Sequence, residues 1–484
     1  MKKNLHIFCF LLLFLAGFCV RLYRFNNPVA DWHSWRQADT SSVARNFVKY
    51  GFDLLHPRME NISNVQSGLE NPQGYFYAEF PIYDALQAGL FVTFHTFTIE
   101  EWGRLISISM SLMGATFLFL LIKKRNKEVA WFAFIFYLFI PFNIYYSRTI
   151  LPDTSMVSML LGSMYFFDVW TRESAKKTGQ FKKLFWLFLS FLFLATSLLL
   201  KPYALFYGLV FLTLAFQQFN WKLILKWELW LFTILSLAPL IWWRTYMLSY
   251  PEGIPANAWL FNSNGIRFRP AWFRWLGYER LIKLISGYVN FIFIATGLVG
   301  IWKSKDRWFL LSFIASALVY VSVIATGNVQ HDYYQIVVMP TVAIVLAYGI
   351  VWLKDFLHKF TNSKIAYGIV ILCMLVGFFF AWQQVQPYFD IDNPAIVEAG
   401  AAVNKLTPPN AKILAPYDGD SSFLYQTNRQ GWASFEHDLQ TLIKMGADYL
   451  VLVHPTPQDI AIGKQYKIVA QTKEYILFNL HQKP

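Results

Sequence analysis

Long runs of apolar residues, separated by short polar segments, dominate residues 1–385 of the chain. A helix needs about 20 mostly apolar residues to cross a bilayer, so each run predicts one membrane-spanning helix. The pattern therefore predicts a mainly α, polytopic membrane helical bundle with about eleven transmembrane helices. The predicted spans are Leu5–Val20, Leu105–Ile122, Val129–Tyr146, Thr154–Trp170, Leu184–Leu200, Tyr203–Phe219, Leu225–Trp243, Tyr288–Trp302, Phe309–Ala325, Ile336–Leu353 and Ile365–Trp382.

Basic residues predict how this bundle is oriented. If the spans alternate, one side receives Lys2–Lys3, Lys123–Lys127, Arg172–Lys183, Trp221–Lys226, Lys303–Arg307 and Lys354–Lys364. Lys and Arg accumulate in cytoplasmic loops, so this side and the N-terminus are predicted to be cytoplasmic. The apolar segment Pro81–Phe97 would reverse every later loop if it crossed the membrane. We therefore interpret it as helices that lie at the outer membrane surface.

Residues 386–484 have the pattern of a small soluble domain. Asn393 as cap and Pro394 in the first turn favour a helix that runs to about Lys405. Strands are predicted at Lys412–Ala415, Asp448–His454, Lys467–Thr472 and Tyr475–Asn479, and a helix from the cap Ser434 to Met445. The pattern predicts an α/β domain of roughly 95 residues, a normal size for an independent core. Alternation of the spans places it outside the cytoplasm.

Composition agrees with a membrane protein and excludes several other classes. Hydrophobic residues make up 56% of the 484 residues, charged residues only 15%, and the formal net charge is +13. The basic inner loops account for this charge, so no nucleic-acid partner is expected. Cys9, Cys19 and Cys373 lie in apolar runs without metal-binding spacing. No dinucleotide fingerprint, P-loop or Ser/His/Asp signature is present.

The first predicted outer loop, Arg21–Arg104, is rich in charged residues. Charged groups beside a membrane cost free energy unless they are paired or in use. Asp31 or Asp39 could accept a proton from a substrate hydroxyl, although both could also cap a helix or solvate a loop. Asp39-Thr40-Ser41-Ser42 resembles a helix start. The neighbouring cationic residues suit a phosphate, or form only a solvated rim; they are His33, Arg36, Arg45, His56 and Arg58.

Four other segments with ionisable or tyrosine residues fall on the same predicted side. They are Glu79-Phe80-Pro81-Ile82-Tyr83, Arg148 to Asp153, Lys201-Pro202-Tyr203 and His331-Asp332-Tyr333-Tyr334. Such residues at span ends can simply reach to the interface. Their common side nevertheless favours a shared outward cavity. No set of ligands has a usual metal spacing, so no metal ligand is predicted, and a divalent cation is left open as a cofactor.

In these segments, with Ala44-Arg45-Asn46 and Arg104-Leu105, the chain resembles the polytopic GT-C glycosyltransferases. More narrowly, it is similar to family 39, which holds protein O-mannosyltransferases and bacterial aminoarabinose (lipid A) transferases. The resemblance covers the membrane part, residues 1–385. It implies transfer of a sugar from a polyprenyl-phosphate donor to an acceptor hydroxyl on a lipid, glycan or protein. The transfer would occur with inversion, among membrane lipids, at the outer face of the plasma (inner) membrane.

The resemblance also implies roles for particular residues. An aspartate of the first outer loop is the expected base, but the position of the family's acidic pair holds Arg36-Gln37 here. The base is then Asp39, which we favour, or Asp31. Glu79 matches a family acid that precedes a proline, and Lys201 or Arg148 is expected near the donor phosphate. The remaining predicted substrate-binding residues are Tyr83, Asp153, Tyr203, His331, Tyr333 and Tyr334.

The alternative interpretation is a transporter or flippase of a lipid-linked sugar. A transporter would more typically have spans broken by Gly or Pro and charges at the midplane in paired halves. Here the charges gather at one predicted face, which favours the enzyme.

Overall fold

The computed structural model describes residues 2–176 and 179–484. The chain forms two compact units. The first, which we call the helical unit, comprises Met1–Tyr23, Leu105–Trp243 and Asn257–Pro387. The second, the mixed unit, comprises Arg24–Arg104, Arg244–Ala256 and Tyr388–Pro484. The predicted domain division at residue 385 stays a prediction. The basic loop Arg172–Lys183 includes Lys177 and Thr178, which lie outside the described residues.

Helices make up most of the helical unit. The α-helices that lie wholly or largely in it are Lys2–Arg21, Ile99–Lys123, Lys127–Phe139, Pro141–Tyr146, Pro152–Ser174, Gln180–Leu200, Gly208–Phe219, Trp227–Tyr246, Trp259–Asn262, Pro270–Phe273, Phe291–Trp302, Arg307–Val323, Ala325–Gln330, Met339–Leu357 and Ser363–Val385. Arg274–Ile285 forms a π-helix, and 3-10 segments include Pro202–Tyr207, Asn220–Leu225 and Asp332–Val338.

Seven helical segments among the described residues are long and apolar enough to cross a membrane. They are Asn4–Arg21, Ile99–Lys123, Gln180–Leu200, Pro202–Leu225, Trp227–Ser249, Asp332–Leu357 and Ser363–Leu406. The predicted mainly helical, multi-pass architecture is confirmed, whereas the number of eleven spans stays a prediction. The predicted span Val129–Tyr146 is divided, because Ile140 is extended and Pro141 starts a new helix. Proline lacks the N–H that would continue the first helix.

The mixed unit combines helices with a five-stranded sheet. Its α-helices are Ser34–Tyr50, Ile82–Phe94, Pro394–Leu406, Ser421–Gln426, Leu439–Lys444 and Pro457–Ala461. The strands are β1 (Ile413–Leu414), β2 (Gly431–Trp432), β3 (Tyr449–Val453), β4 (Lys467–Gln471) and β5 (Tyr475–Asn479), in the order β2-β1-β3-β5-β4. β1 pairs in parallel with β2 and β3, and β5 pairs antiparallel with β3 and β4.

Apolar side chains on both faces hold this sheet in place. Ile396 and Val403 of helix Pro394–Leu406 pack on one face with Ile413 and Leu477. Leu442 belongs to the cluster on the other face. The predicted helix from Ser434 is wrong at its start: the helix begins at Leu439, where the Asp438 carboxylate accepts hydrogen bonds from the N–H groups of Gln440 and Thr441. An aspartate cap satisfies two N–H groups of the first turn and so determines the boundary.

The helix Ser34–Tyr50, which we call the first-loop helix, positions the predicted catalytic segment. It follows His33, whose φ of 55° is left-handed, and it ends at Gly51, whose φ of 94° suits glycine. The helix start predicted at Asp39 is wrong, because Asp39 lies inside the second turn. Twelve of the helix's 17 residues are buried, although many are polar. A mostly buried polar helix needs internal partners for its side chains, and the first loop and helix Ser421–Gln426 supply them.

Candidate active site

Asp39 lies on the first-loop helix with only 1% of its surface exposed. Its carboxylate accepts hydrogen bonds from Ser421 Oγ at 2.6 Å and from Gln66 Nε2 at 3.2 Å. It makes no ion pair with any residue that the structure describes. Burial raises the pKa of Asp39 to about 6, against the opposing charge of Arg36. A carboxyl with such a pKa exchanges its proton near neutral pH, as a general base must.

Asp31, the other predicted base, lies in the turn before the same helix. Its side chain is fully buried and accepts a hydrogen bond from Gln37 Nε2 at 2.8 Å. Its carbonyl oxygen accepts the N–H of Ser34 at 3.0 Å. The left-handed backbone of His33 lies between Asp31 and the helix. Non-glycine residues with positive φ store strain and concentrate at functional sites.

Two further carboxylates of the mixed unit, Asp392 and Asp420, join these acids. Burial raises the pKa of Asp392, and the negative charge of Asp31 adds to the effect. Burial also raises the pKa of Asp420, whereas the charge of His33 lowers the pKa of both groups. Asp420 caps helix Ser421–Gln426 through the N–H of Ser422. Asp31, His33 and Asp39 therefore share an acidic neighbourhood that the sequence did not reveal, because its other members lie more than 350 residues away in the chain.

Glu79, the third predicted catalytic acid, is an ion-pair partner. Its Oε1 atom lies 2.5 Å from Arg36 Nη2, and both side chains are buried. The Arg36 guanidinium also lies 5.3 Å from the Phe76 ring centroid. Asp84 lies in the first turn of helix Ile82–Phe94, which begins shortly after Glu79. Burial, with the charge of Glu79, raises the pKa of Asp84 to about 8. Glu79 thus compensates Arg36, while Asp84 carries no charge at neutral pH.

Arg45, predicted to contact phosphate, is held by protein groups. Its guanidinium lies 3.1 Å from carboxylate oxygens of both Glu60 and Glu100 and 3.7 Å from the Tyr425 ring centroid. It also donates to the Tyr425 carbonyl at 3.0 Å. These carboxylates raise the pKa of Arg45. The contacts account for the burial of Arg45 without a ligand and connect the first loop to helix Ser421–Gln426.

The remaining predicted residues of the first loop have neighbours of their own. His56 hydrogen-bonds Asp53 at 2.8 Å and the hydroxyl of Tyr250 at 3.0 Å. The Arg58 guanidinium lies 5.3 Å from the Tyr75 ring centroid. Tyr83 donates its hydroxyl to the Gly103 carbonyl at 2.6 Å. None of these contacts brings the three residues to Asp39.

In the helical unit, Lys201 and Asp153 form a buried pair. Lys201 Nζ lies 2.7 Å from Asp153 Oδ2. The ammonium also lies 5.7 Å from the ring centroid of Tyr333 and 5.8 Å from that of Tyr203, within cation–π range. Tyr334 stacks on Tyr333 with ring centroids 4.5 Å apart. The structure therefore groups five predicted residues: the Lys201 cation, its three neighbours Asp153, Tyr203 and Tyr333, and Tyr334 behind Tyr333.

His331 and Arg148 lie on other turns of the helical unit. The ring centroid of His331 lies 5.7 Å from that of Tyr333, on which it stacks, and 5.6 Å from that of Trp259. His331 and Trp259 thus extend the group of residues around Lys201. Arg148 is fully buried, 5.5 Å from the Tyr145 ring centroid. Asp332, between His331 and Tyr333, accepts a hydrogen bond from Tyr146, and Arg280 lies 3.8 Å from it. Arg280, on the π-helix, is a nearby cation that the sequence analysis did not single out.

One group of three metal-ligating side chains occurs among residues 2–176 and 179–484. It comprises Glu70, Glu436 and His437, in the mixed unit. His437 and Glu70 already pair at 2.9 Å. The group contains none of the predicted catalytic acids, so no metal-dependent step is assigned to it.

Comparisons with known proteins agree with this fold. Residues 11–251 match the family model of dolichyl-phosphate-mannose-protein mannosyltransferase. The structure of ArnT from Cupriavidus metallidurans bound to undecaprenyl phosphate matches with a TM-score of 0.70 at 12% identity, over 98% of this chain and 97% of that one. The archaeal oligosaccharyltransferase AglB from Archaeoglobus fulgidus, in complex with an inhibitory peptide and a dolichol-phosphate, matches with a TM-score of 0.60 at 10% identity, over 97% and 74% of the two chains. No curated protein sequence matches the chain.

The fold and the family match define the class of protein as a polytopic membrane glycosyltransferase of the GT-C superfamily. Residues 11–251, just under half of the chain, match the model of the dolichyl-phosphate-mannose-protein mannosyltransferase family, which bears out the resemblance to family 39. The predicted function is confirmed at the level of a membrane glycosyltransferase. The alternative of a transporter or flippase has no support among these matches.

Proposed function

We propose that the protein moves a hexose or pentose from a polyprenyl-phosphate donor to an acceptor hydroxyl at the outer face of the plasma membrane. The N-terminus is cytoplasmic, and residues 386–484 form an extracytoplasmic domain. ArnT bound to undecaprenyl phosphate, and AglB with dolichol-phosphate, support a lipid phosphate as the carrier. The observation that carries the proposal is the buried Asp39 carboxylate, whose hydrogen-bond donors are neutral.

Asp39 is the proposed base. It takes the proton of the acceptor hydroxyl, and the hydroxyl oxygen then attacks the anomeric carbon from the face opposite the phosphate. The configuration at this carbon inverts. A pKa of about 6 leaves Asp39 ionised above neutral pH yet basic enough to share the proton as the bond forms. Arg36 lies one turn before Asp39 on the first-loop helix. Its positive charge is compensated by the Glu79 carboxylate, so that Arg36 does not pair with Asp39.

Lys201 is the proposed ligand of the donor phosphate. Its ammonium has three N–H groups, and Asp153 accepts from only one of them in the structure. The surrounding tyrosines exclude water, which strengthens an electrostatic contact with an anion. A cation held in this way stabilises the charge that develops on the departing lipid phosphate. Lys201→Met is expected to reduce turnover at all donor concentrations, as measured by release of lipid phosphate.

The roles of the two aspartates are tested by isosteric variants. Sugar release from a labelled polyprenyl-phosphate sugar is measured for the wild type, Asp39→Asn and Asp31→Asn at equal protein amounts. The proposal expects a loss of at least a hundredfold for Asp39→Asn, the range of general-base catalysis. If Asp31→Asn loses turnover and Asp39→Asn does not, Asp31 is the base. Unchanged turnover in both variants would refute the catalytic aspartate.

A further inference from the structure

A cavity of about 400 Å³ lies within the mixed unit, beside Arg45. Its walls come from residues 26–29, from the start of helix Ile99–Lys123 and from the end of helix Ser421–Gln426. A volume in this range suits a small ligand rather than a few waters. No catalytic role assigned above uses this space.

The charged groups of the cavity cancel one another. Arg45 and Arg104 oppose Glu100 and Glu101. Arg45 is paired with Glu100, and Arg104 donates to the carbonyls of Phe25 and Asn27, each at 2.6 Å. Arg45 and the Nη1 atom of Arg104 are therefore already bound to protein acceptors. This arrangement does not favour a phosphate or another anion as the ligand.

Two side-chain amides of the cavity wall present acceptor oxygens. The side-chain amide of Asn27 donates through Nδ2 to the Phe389 carbonyl, and that of Gln426 donates through Nε2 to the Val29 carbonyl. Within residues 2–176 and 179–484, no donor reaches Asn27 Oδ1 or Gln426 Oε1.

The two carboxylates of the wall, Glu100 and Glu101, also present acceptor oxygens. Glu100 accepts its bonds from Arg45 and Tyr425 through Oε1, and Glu101 accepts the Thr98 N–H through Oε2. The second oxygen of each receives no hydrogen bond from any described residue. Four acceptor oxygens in a wall of balanced charge match a neutral ligand with several hydroxyl donors.

We infer that this cavity binds a carbohydrate, and that the acceptor of the transfer is a glycan. Tyr425 lines both this cavity and the small cavity of about 10 Å³ beside Asp39, so the two spaces share a wall. The binding of a carbohydrate is inferred from the cavity alone. Its role as the acceptor of the transfer rests on the proposed function. Since Asn26 is exposed and forms part of the wall, a bulky side chain at position 26 fills the space without disturbing the core.

Binding is measured by saturation-transfer NMR on the full-length protein in nanodiscs, with maltotriose, chitobiose and mannobiose as probes. The wild type is expected to give saturable binding of at least one of them. Asn26→Trp and Gln426→Leu are expected to raise the Kd at least tenfold, and Asn410→Trp, on an exposed turn outside the cavity, to leave it unchanged. No saturable binding by any probe, or equal binding by Asn26→Trp and wild type, would overturn the inference.

A second readout separates this inference from the proposed function. Asp39→Asn is expected to bind the carbohydrate like the wild type but not to transfer sugar. Binding by the wild type without any sugar transfer would contradict the proposed function alone. In transfer to the bound glycan, Asn26→Trp is expected to raise KM for the glycan tenfold with kcat unchanged. Transfer to a lipid or a serine peptide, with no carbohydrate bound, would overturn the glycan acceptor and leave the transferase standing.

Discussion

At the scale of single residues, the acids of the first loop differ in what surrounds them. Glu79 lies against a buried guanidinium, so its charge is compensated. Asp39 has only a hydroxyl and an amide as hydrogen-bond donors, and burial therefore raises its pKa to about 6. Asp84 has a pKa of about 8 for the same reason, with the charge of Glu79 added. Carboxyl groups of the same loop thus differ in charge and pKa because their surroundings differ.

Asp39→Asn is expected to stabilise the protein at high pH. The folded pKa of about 6 lies above the usual 3.8, so the folded state binds the proton more tightly than the unfolded state. Stability is then greatest below pH 4 and falls as pH rises through 6, by up to about 3 kcal/mol. The thermal midpoint of the variant should exceed that of the wild type at pH 8 and approach it at pH 4.5. Asp390→Asn, at an exposed site, is the control; the same difference at both pH values would contradict this account.

At the scale of elements, the sequence predicted boundaries where local signals suffice. Asn393 caps helix Pro394–Leu406 as predicted, and β4 and β5 lie at the expected positions. Helix Ser421–Gln426 was missed, because six residues carry no periodic pattern. The acidic neighbourhood of Asp31 could not be predicted either, since Asp392 and Asp420 reach it through tertiary contacts. Lys201, Tyr203 and Tyr333, which were predicted to lie on one side of the membrane, contact one another because all three residues end or begin spans.

The Arg36–Glu79 pair holds the first-loop helix against the segment before Ile82–Phe94. Glu79→Gln leaves a buried guanidinium without its carboxylate, which costs about 3–5 kcal/mol. The thermal midpoint of this variant should fall markedly. Arg36→Met combined with Glu79→Met should recover most of the loss, because no charge then remains buried. A midpoint unchanged in Glu79→Gln would show that the pair does not stabilise the fold.

Helix Ser421–Gln426 is expected to tune the proposed base. The Ser421 hydroxyl bonds the Asp39 carboxylate at 2.6 Å, and this bond lowers the pKa of Asp39. Ser421→Ala removes it, so the acidic limb of the pH–rate profile should move to higher pH. Ser434→Ala, on a loop of the same domain, should leave the profile in place. A shift to lower pH in Ser421→Ala would contradict the role of Asp39.

At the scale of the whole molecule, residues 24–104 and 388–484 fold as one unit although nearly 300 residues separate them. Arg45 and Tyr425 are among the contacts that join these two segments. A chain that ends at Pro387 should therefore lose protection of its first loop, measured as faster proteolytic cleavage between residues 51 and 75. Cleavage at the wild-type rate would mean that the first loop folds without the C-terminal segment.

We propose that this glycosyltransferase uses a lipid-phosphate sugar as its donor. The most direct test measures sugar release by the purified wild-type protein from radiolabelled polyprenyl-phosphate sugars, with mixed glycan and membrane-lipid acceptors. Nucleotide sugars with the same label serve as the matched donors. The protein is expected to turn over at least one polyprenyl-phosphate sugar and none of the nucleotide sugars. Turnover confined to nucleotide sugars, or sugar carried across a vesicle membrane without cleavage, would contradict it.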